Sequence, residues 1–267
     1  MKVARAVAIG LLGAVAIVAL APEWWAANRY DTQFRAIPDT PPAARFPLGT
    51  DAVGRDRLSR LIYGTRVSLL LAPAAALLSC VAAGILGGLA GLAGGFIDRT
   101  IVAAADLFLS LPWLFLLLIV RACLPLNVSP AASVAITFLM LGVLGWAAPA
   151  RVVRAAVRKL KSSEFVFMAR ARGCRPWRLL WCQLRPNVAP ILLAQFWVAV
   201  PIYILTETTL GMLGLGVAEP LPSWGGLLRE LEGDSFLARP YLLAPAILLA
   251  LVIGSFQLLL SNEDFSI

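Results

Sequence analysis

The sequence predicts an all-α polytopic membrane protein with six transmembrane helices. The chain has 267 residues, of which 60% are hydrophobic and only 14% are charged. A soluble domain of this length keeps a large polar surface, which this composition does not supply. Several apolar stretches reach the roughly 20 residues that a helix needs to cross a bilayer. A transmembrane barrel would instead show alternating segments of about ten residues, and the sequence has none.

The first predicted span lies at about 3–21, between the basic residues Lys2 and Arg5 and the pair Trp24-Trp25. Tryptophan pairs of this kind are typical of a membrane interface. A signal peptide cleaved after Ala21 is the alternative, but the apolar run is longer than the usual core of one. We favour an uncleaved helix. The other spans are expected at about 67–95, 101–120, 131–150, 188–213 and 241–260.

The distribution of charge predicts how the chain is oriented. Segment 151–187 holds ten basic residues against the single acid Glu164, which places it in the cytoplasm. Six spans then put both termini in the cytoplasm. The polar, proline-rich stretch 22–66 falls outside, although its seven arginines fit the rule poorly. We divide the chain into residues 1–66, the first helix with an extracytoplasmic segment, and 67–260, a transmembrane domain with its cytoplasmic loop at 151–187.

The reactive residues argue against catalysis. The chain has no histidine, the commonest general base, and its four cysteines form no CxxC pair. A zinc site built on histidine, a disulfide framework and an intramembrane enzyme are therefore all disfavoured. We expect no directly bound cofactor or metal. The net charge of +8 is interpreted as orientation in the membrane rather than as affinity for nucleic acid.

Two polar segments interrupt the apolar chain. The stretch FPLGTDAVGRDRLSR at 46–60 carries charges close enough for a local ion-pair network among Asp51, Arg55, Asp56 and Arg60. It either folds an ordered turn before the second helix or forms a docking surface, and the two roles are compatible. The motif residues singled out are Pro47, Gly49, Asp51, Gly54, Arg55, Asp56 and Arg60.

The second segment, at 162–187, predicts two short helices. Ser162-Ser163-Glu164 is a helix start, Gly173 a break, Arg175-Pro176-Trp177 a second start and Pro186 its end. Such a unit must bury its apolar side, either on anionic lipid or against a cytoplasmic partner. The residues alone leave these two possibilities open.

Three ordered motifs resemble one family, the C-type permease subunits of dipeptide, oligopeptide and nickel importers of the ATP-binding cassette class. PLGTDAVGRDRLSRLIYGTRVSL at 47–69 resembles the signature of these subunits. GCRPWRLLWCQLRPN at 173–187 is similar to the second half of their EAA loop, and ETTLGMLGLGVAEPLPSWGGLL at 207–228 to the stretch that leaves their fifth helix. The resemblance covers roughly residues 46–230.

The resemblance implies the type I importer permease fold and a permease subunit without ATPase activity of its own, in a bacterial inner membrane. Its implied partners are a B-type permease subunit, two ATPase subunits that hold ATP and Mg²⁺, and an extracytoplasmic substrate-binding protein. Segment 162–187 would contain the helix that couples to an ATPase. Its implied coupling residues are Glu164, Phe165, Ala169, Arg170, Gly173, Arg175, Trp177, Pro186 and Asn187.

The chain departs from the family pattern within this coupling segment. Phe167-Met168-Ala169 stands where the family usually has Glu-Ala-Ala, and Arg172 and Arg185 stand where it usually has leucine. Gly173, Pro186 and Asn187 are kept. The departures put the detailed contact with an ATPase in doubt, or indicate a partner with matching changes.

Two acids, Asp106 and Glu207, lie within apolar spans, where ionisable groups are costly and generally face protein or water. We expect an ion pair between Asp106 and either Arg99 or Arg151.

Import of short peptides is the leading interpretation, and import of a nickel or other metal chelate by the same machinery is the alternative. An ATP-independent carrier or channel is disfavoured, because the six spans show no internal repeat.

Overall fold

The computed structural model describes residues 2–124, 128–171, 185–232 and 239–261. The described chain is helical apart from turns and a few isolated β-bridges in the segment before the second long helix. We number its α-helices α1 to α11. They are Lys2–Leu20, Pro22–Trp25, Arg57–Ala93, Gly95–Ser110, Trp113–Cys123, Pro130–Leu144, Ala147–Lys161, Glu164–Ala171, Arg185–Met212, Trp224–Arg229 and Ala244–Leu260. Short 3₁₀ turns lie at Glu230–Glu232 and Pro240–Leu243.

Helix α3 begins about ten residues before the predicted start of the second span. Asp56 immediately precedes it and accepts a hydrogen bond from the backbone N–H of Leu58 at 3.1 Å, which caps the first turn. The expected start near residue 67 was wrong because Arg57, Arg60 and Arg66 were taken as loop charges. Each of the three instead lies on the helix and forms an ion pair.

The third predicted span, 101–120, is not one helix. Helices α4 and α5 meet at a bend of 92°. Pro112 lies at the break, and Leu111 before it is extended, with φ −91° and ψ 137°. A residue that precedes proline is sterically excluded from the helical region, so the chain turns here. The apolar composition hid this break.

The predicted loop 151–187 is largely helical where it is described. Helix α7 continues to Lys161, so the predicted fourth span and the first part of the loop form one long helical segment, Pro130–Lys161. Its apolar side is buried at Ala147, Ala150, Val153 and Val157. The predicted start at Ser162–Glu164 is confirmed by helix α8. Residues 175–184 of the predicted second helix lie outside the described residues. Pro186, its predicted end, instead lies in the first turn of α9.

Five helices in the described ranges are long and apolar enough to cross a membrane, and the bent pair makes a sixth if it crosses as one span. The chain forms two compact units. One comprises Met1–Ala72, Arg121–Phe138 and Pro201–Ile267, and the other comprises Pro73–Val120 and Leu139–Val200. In the first unit α1 packs along α11. The functional division at residue 66 stays a prediction.

The core of the second unit depends on close contact between α3 and α7. At Gly87 an added Cβ would lie 2.4 Å from the carbonyl oxygen of Ala150, and at Gly91 it would lie 2.7 Å from a methyl of Val157. Glycine lets two membrane helices approach to backbone contact, where dispersion forces hold them together. The glycine-rich stretch of the sequence is therefore used for helix packing at these two positions.

Candidate functional site: the ion-pair cluster and the basic arm

The motif at 46–60 folds into a turn that only glycine can complete at two positions. Gly49 and Gly54 have positive φ values of 72° and 79°. An added Cβ would come within 2.3 Å of the Thr40 carbonyl oxygen and 2.4 Å of the Phe34 carbonyl oxygen, respectively. The turn is therefore specified both by backbone conformation and by close approach.

Asp51 organises this turn. Its Oδ1 atom accepts hydrogen bonds from the backbone N–H groups of Val53 at 3.0 Å and of Arg55 at 2.7 Å. Its other oxygen pairs with the guanidinium of Arg55 at 2.6 Å. The side chain of Asp51 is almost completely buried, so these bonds replace the water it gives up.

Asp51, Arg55, Arg60 and Glu219 form what we call the ion-pair cluster. Glu219 Oε2 lies 2.6 Å from Nη1 of Arg55, and its Oε1 lies 2.7 Å from Nη2 of Arg60. Arg60 is only 1% exposed, and its Nε lies 3.8 Å from Asp51. The predicted proximity of Asp51, Arg55 and Arg60 is confirmed. Glu219 lies about 160 residues away in the sequence, within the third motif, and nothing in the sequence indicated that it joins this cluster.

Asp56 does not join the ion pairs that the sequence suggested. Its carboxylate caps α3, and it also accepts hydrogen bonds from the Ser59 hydroxyl at 2.6 Å and from the Asn28 side-chain amide at 3.2 Å. The correction has a physical reason. Asp56 stands at the first turn of a helix, where unpaired backbone N–H groups attract a carboxylate.

Arg57 forms a second set of contacts beside the ion-pair cluster. It pairs with Glu230 at 3.1 Å and with Asp39 at 3.3 Å, and Asp39 also pairs with Arg239 at 2.7 Å. The acids of both sets line a polar groove of about 520 Å³ in the same unit. Sequence reasoning missed Asp39, Arg57 and Glu230, because their partners are distant in the chain.

The surroundings shift the pKa values of these acids in opposite directions. Burial alone would raise the pKa of Glu219, but the guanidinium groups of Arg60 and Arg55 lower it below its ordinary value. Burial would likewise raise the pKa of Asp39, but Arg239 and Arg57 lower it below its ordinary value. Glu230 is different, because burial raises its pKa and Arg57 only partly offsets the effect.

Glu207, the second predicted intramembrane acid, is fully buried within the first unit. Its Oε2 accepts a hydrogen bond from the Ser68 hydroxyl at 2.9 Å, and the Ser68 oxygen accepts one from the backbone N–H of Trp224 at 3.1 Å. The indole N–H of Trp224 donates to Thr65 at 3.1 Å. Among the described residues Glu207 Oε1 has no hydrogen-bond partner. The carboxyl group therefore links α9 to α3, and through Ser68 to α10.

Asp106, the first predicted intramembrane acid, lies 3.5 Å from Arg151, one of its two expected partners. Both side chains are about half exposed. A stronger pair that the sequence did not suggest lies nearby on the same two helices. Asp98 accepts two hydrogen bonds from Arg154, through Nε and through Nη2 at 2.8 Å, and Arg158 lies 3.5 Å from it. These pairs fasten α4 to α7.

Helix α8 with residues 158–163 before it forms what we call the basic arm. Val166 is buried, whereas Phe167 is 71% exposed and Met168 is 52% exposed. Among the predicted coupling residues, Glu164 is exposed, Phe165, Ala169 and Arg170 lie on α8, and Pro186 and Asn187 lie in the first turn of α9. Gly173, Arg175 and Trp177 lie outside the described residues. The arm thus presents an apolar pair, Phe167 and Met168, that the described part of the chain leaves exposed.

In the described part of the chain, no three Cys, Asp or Glu side chains are grouped as they would be to hold a metal ion. The cluster carboxylates are occupied by arginines. Their ion pairs connect the turn at 46–60 to Glu219.

The chain is similar to known transport proteins. The family model described as binding-protein-dependent transport system inner membrane component matches residues 83–262. A dipeptide transport permease, DppC, of Bacillus subtilis is 33% identical over 71% of this chain, a match that covers 58% of that relative's length. An oligopeptide permease, OppC, of the same organism is 32% identical over 83% of this chain and 72% of its own length. A di/tripeptide permease, DppC, of Pseudomonas aeruginosa is 35% identical over 83% and 74%. The chain therefore belongs to the family of inner membrane components of binding-protein-dependent transport systems.

Proposed function

We propose that the chain is the C-type permease subunit of an ATP-driven importer that translocates short peptides. The observation that carries the proposal is the match to dipeptide and oligopeptide permeases at 32–35% identity over 71–83% of this chain. The resemblance of the three motifs supports the same conclusion. Peptide rather than metal chelate is favoured, because each of these relatives is named for peptide transport.

The partners follow from this proposal. A B-type permease subunit completes the channel, two ATPase subunits bind and hydrolyse ATP with Mg²⁺, and an extracytoplasmic binding protein delivers the peptide. This chain binds no cofactor of its own. It resides in the inner membrane with both termini and the basic arm in the cytoplasm.

The basic arm provides the contact through which ATP acts. Nucleotide can move the permease between two states only if the ATPase contacts those states differently. Phe167 and Met168 are large apolar side chains in water unless a partner covers them, and apolar anchors of this kind dominate protein interfaces. The ATPase surface that receives Phe167 is apolar, whereas the glutamate that the family usually has at this position would require a polar surface.

The ion-pair cluster provides the opposite contact, with the binding protein. Its turn is rigid because glycine, Asp51 and two buried or half-buried arginines fix it, and Val53 at its tip is 44% exposed. A rigid surface loses little conformational entropy when a partner docks. The cluster therefore serves both roles considered for the motif, an ordered turn and a docking surface.

Negative charge introduced at the exposed apolar pair of the basic arm tests the coupling. We expect Phe167→Glu with Met168→Glu to reduce peptide uptake at least about tenfold, since an anchor residue contributes 2 kcal/mol or more. Uptake of a labelled dipeptide is measured in cells that lack the native gene, and ATPase activity in the purified complex. Ser162→Glu, an exposed position on the same arm, is the control. Normal peptide-stimulated ATPase activity and uptake in the double variant would contradict this role.

The same cells test the cargo. Uptake of a labelled dipeptide that depends on this gene supports the peptide reading. Loss of nickel uptake with unchanged dipeptide uptake would favour the chelate. Uptake that persists in vesicles containing this chain alone would contradict an ATP-driven importer.

A further inference from the structure

The second unit contains an apolar groove that the proposed transport function does not use. Helix α3 contributes a stripe at Cys80, Gly84, Gly88 and Leu92, spaced four residues apart along one face. Helices α7 and α9 supply the walls, chiefly with valine and leucine, and the groove holds about 410 Å³. It opens beside Val81 and Ile85, which are at least half exposed.

Glycine creates the open space. An added Cβ at Gly88 would meet no atom within 4 Å, although Gly87 next to it is in backbone contact with α7. At Gly84 an added Cβ would lie 3.2 Å from the end of the Leu192 side chain. The floor of the groove is therefore bare where Gly88 faces it, and the walls do not collapse into the space.

The dimensions fit one hydrocarbon chain. From Cys80 to Leu92 the stripe rises about 18 Å, close to the roughly 15 Å of hydrocarbon in one leaflet. A polar occupant is disfavoured, because the lining offers almost no hydrogen-bonding groups and a dry apolar cavity excludes water.

The end of the groove is positively charged. Arg185, the first residue of α9, lines the groove, and Val188 one turn later belongs to the buried cluster against which Leu92 packs. Lys161, the last residue of α7, donates a hydrogen bond from Nζ to the Leu92 carbonyl oxygen at 2.6 Å. An ammonium group has three N–H donors, so this one bond leaves two for another acceptor. Two cations therefore stand where an acyl chain in the groove would end in its headgroup.

We propose that this groove is a binding site for an anionic phospholipid, with one acyl chain along Cys80–Leu92 and the headgroup phosphate between Arg185 and Lys161. The site selects by charge at its end and by length along α3. A bound acyl chain fills the space between α3 and α9 and so stabilises the spacing of the two helices. The lipid comes from the leaflet on the side of the basic arm, because anionic headgroups attract basic segments of a protein.

The first experiment uses the unaltered chain. The full protein is reconstituted in bilayers containing phosphatidylglycerol or phosphatidylcholine with a photoactivatable acyl chain, and labelled peptides are mapped by mass spectrometry. We expect labelling at 80–92 and 185–192, with phosphatidylglycerol favoured at least about fivefold, since each cation near the surface contributes about 1 kcal/mol. Equal labelling by both lipids, or none in these peptides, would overturn the proposal.

The second experiment uses variants and native mass spectrometry of the protein in mild detergent. Gly88→Leu adds a side chain at a position where an added Cβ meets no atom within 4 Å, and we expect the variant to lose the retained phosphatidylglycerol. Gly254→Leu is the control, because Gly254 on α11 also faces open space. Arg185→Gln is expected to keep a lipid but to lower the preference for phosphatidylglycerol about fivefold, whereas Arg35→Gln should not.

These variants also identify the competing occupants. Equal retention of lipid by Gly88→Leu and Gly254→Leu would refute the site. A Gly88→Cys protein that forms a crosslink to another subunit, or to residues 172–184 of its own chain, would show that protein covers the groove, which also refutes it. Photolabelling of the unaltered chain does not depend on any variant folding correctly.

Discussion

At the scale of single residues, the arginines of the ion-pair cluster have little contact with water and therefore depend on their acidic partners. Arg60 is almost completely buried, and Glu219 is its closest acidic partner. When one partner of a buried charged pair is removed, the other stays behind without compensation, and this costs more than the pair contributes. The side chain of Glu219 is itself 58% exposed, so the cost of removing it comes mainly from the buried Arg60 that is left without its partner.

Replacing Glu219 by glutamine tests this asymmetry. We expect Glu219→Gln to lower the free energy of unfolding by about 2 kcal/mol at neutral pH, because the buried guanidinium of Arg60 loses its anionic partner and an N–H donor replaces one of the two acceptor oxygens. Asp31→Asn is the control, since Asp31 pairs with Arg29, which is 72% exposed, and exposed pairs contribute little. Denaturant unfolding of the protein in detergent measures both. Similar losses in the two variants would contradict the argument.

The pH dependence of stability follows from the same pair. The pKa of Glu219 is lowered in the folded state, so its contribution is present above its unfolded pKa and is lost as pH falls through the folded value. The raised pKa of Glu230 acts in the opposite sense: the buried carboxylate destabilises the folded state when it is ionised, and protonation at lower pH removes that cost. We expect thermal stability to decline below about pH 4, and to decline less steeply in Glu219→Gln. An equal acid decline in both proteins would refute the assignment.

Glu207 presents a different case, because its described contact is with a hydroxyl group. Its Oε2 needs only to accept from Ser68, a task that an amide oxygen performs equally well. We expect Glu207→Gln to unfold within about 1 kcal/mol of the unaltered chain and Glu207→Ala to lose about 3 kcal/mol, through a cavity and an unsatisfied hydroxyl. Melting temperatures in detergent compare them. Equal loss in both variants would show that the carboxylate charge matters.

At the scale of elements, neighbouring glycines on α3 have different tasks. Gly87 is in contact with the backbone of α7, whereas Gly88 faces the open groove. We expect Gly87→Ala to push α3 and α7 apart and to cost about 2 kcal/mol, because overpacking a close contact forces the backbone to shift. Gly88→Ala is the matched control and should be neutral or slightly stabilising, since alanine is the better helix former. Chemical unfolding distinguishes them, and a reversed order would contradict the packing.

The helices could be predicted from the sequence wherever hydropathy alone decides them. The spans at 3–21, 188–213 and 241–260 were found within a few residues of α1, α9 and the last helix. Hydropathy does not register the kink that Pro112 imposes, nor the amphipathic continuation of α7 to Lys161. It also starts α3 about ten residues too late, since a charged residue paired across the fold can lie on a helix as readily as in a loop.

The site was predictable only where its parts are close in sequence. Asp51 and Arg55, four residues apart, were expected to pair and do so. Glu219 could be placed beside them only by knowing how the chain returns, because a single sequence contains no information on contacts between distant motifs. The groove at Gly88 was missed for another reason. Its open space depends on which of two adjacent glycines faces a neighbour.

At the scale of the whole molecule, ion pairs account for most of the arginines in the segment 22–66. This stretch contradicted the expected orientation by its seven arginines. Five of them form ion pairs in the folded chain: Arg29, Arg55, Arg57, Arg60 and Arg66. Each therefore has a structural reason to be where it is, independent of the side of the membrane.

The number of crossings decides the orientation, and the bent pair α4–α5 is the element on which that number depends. Between Val53 and Ser162 lie α3, the bent pair and the segment Pro130–Lys161. If the pair crosses as one span, three crossings put the two residues on opposite sides. If it returns to the side it entered from, two crossings put them on the same side.

Single cysteines at these two exposed positions distinguish the cases. In a chain whose four native cysteines are replaced, we expect Val53→Cys to react with a membrane-impermeant maleimide in intact cells with a permeabilised outer membrane. Ser162→Cys should react only after the inner membrane is opened, because six crossings place the basic arm in the cytoplasm. Labelling of both from outside would mean a re-entrant pair and five crossings. Labelling of Ser162→Cys alone would reverse the orientation and remove the basic arm from any ATPase.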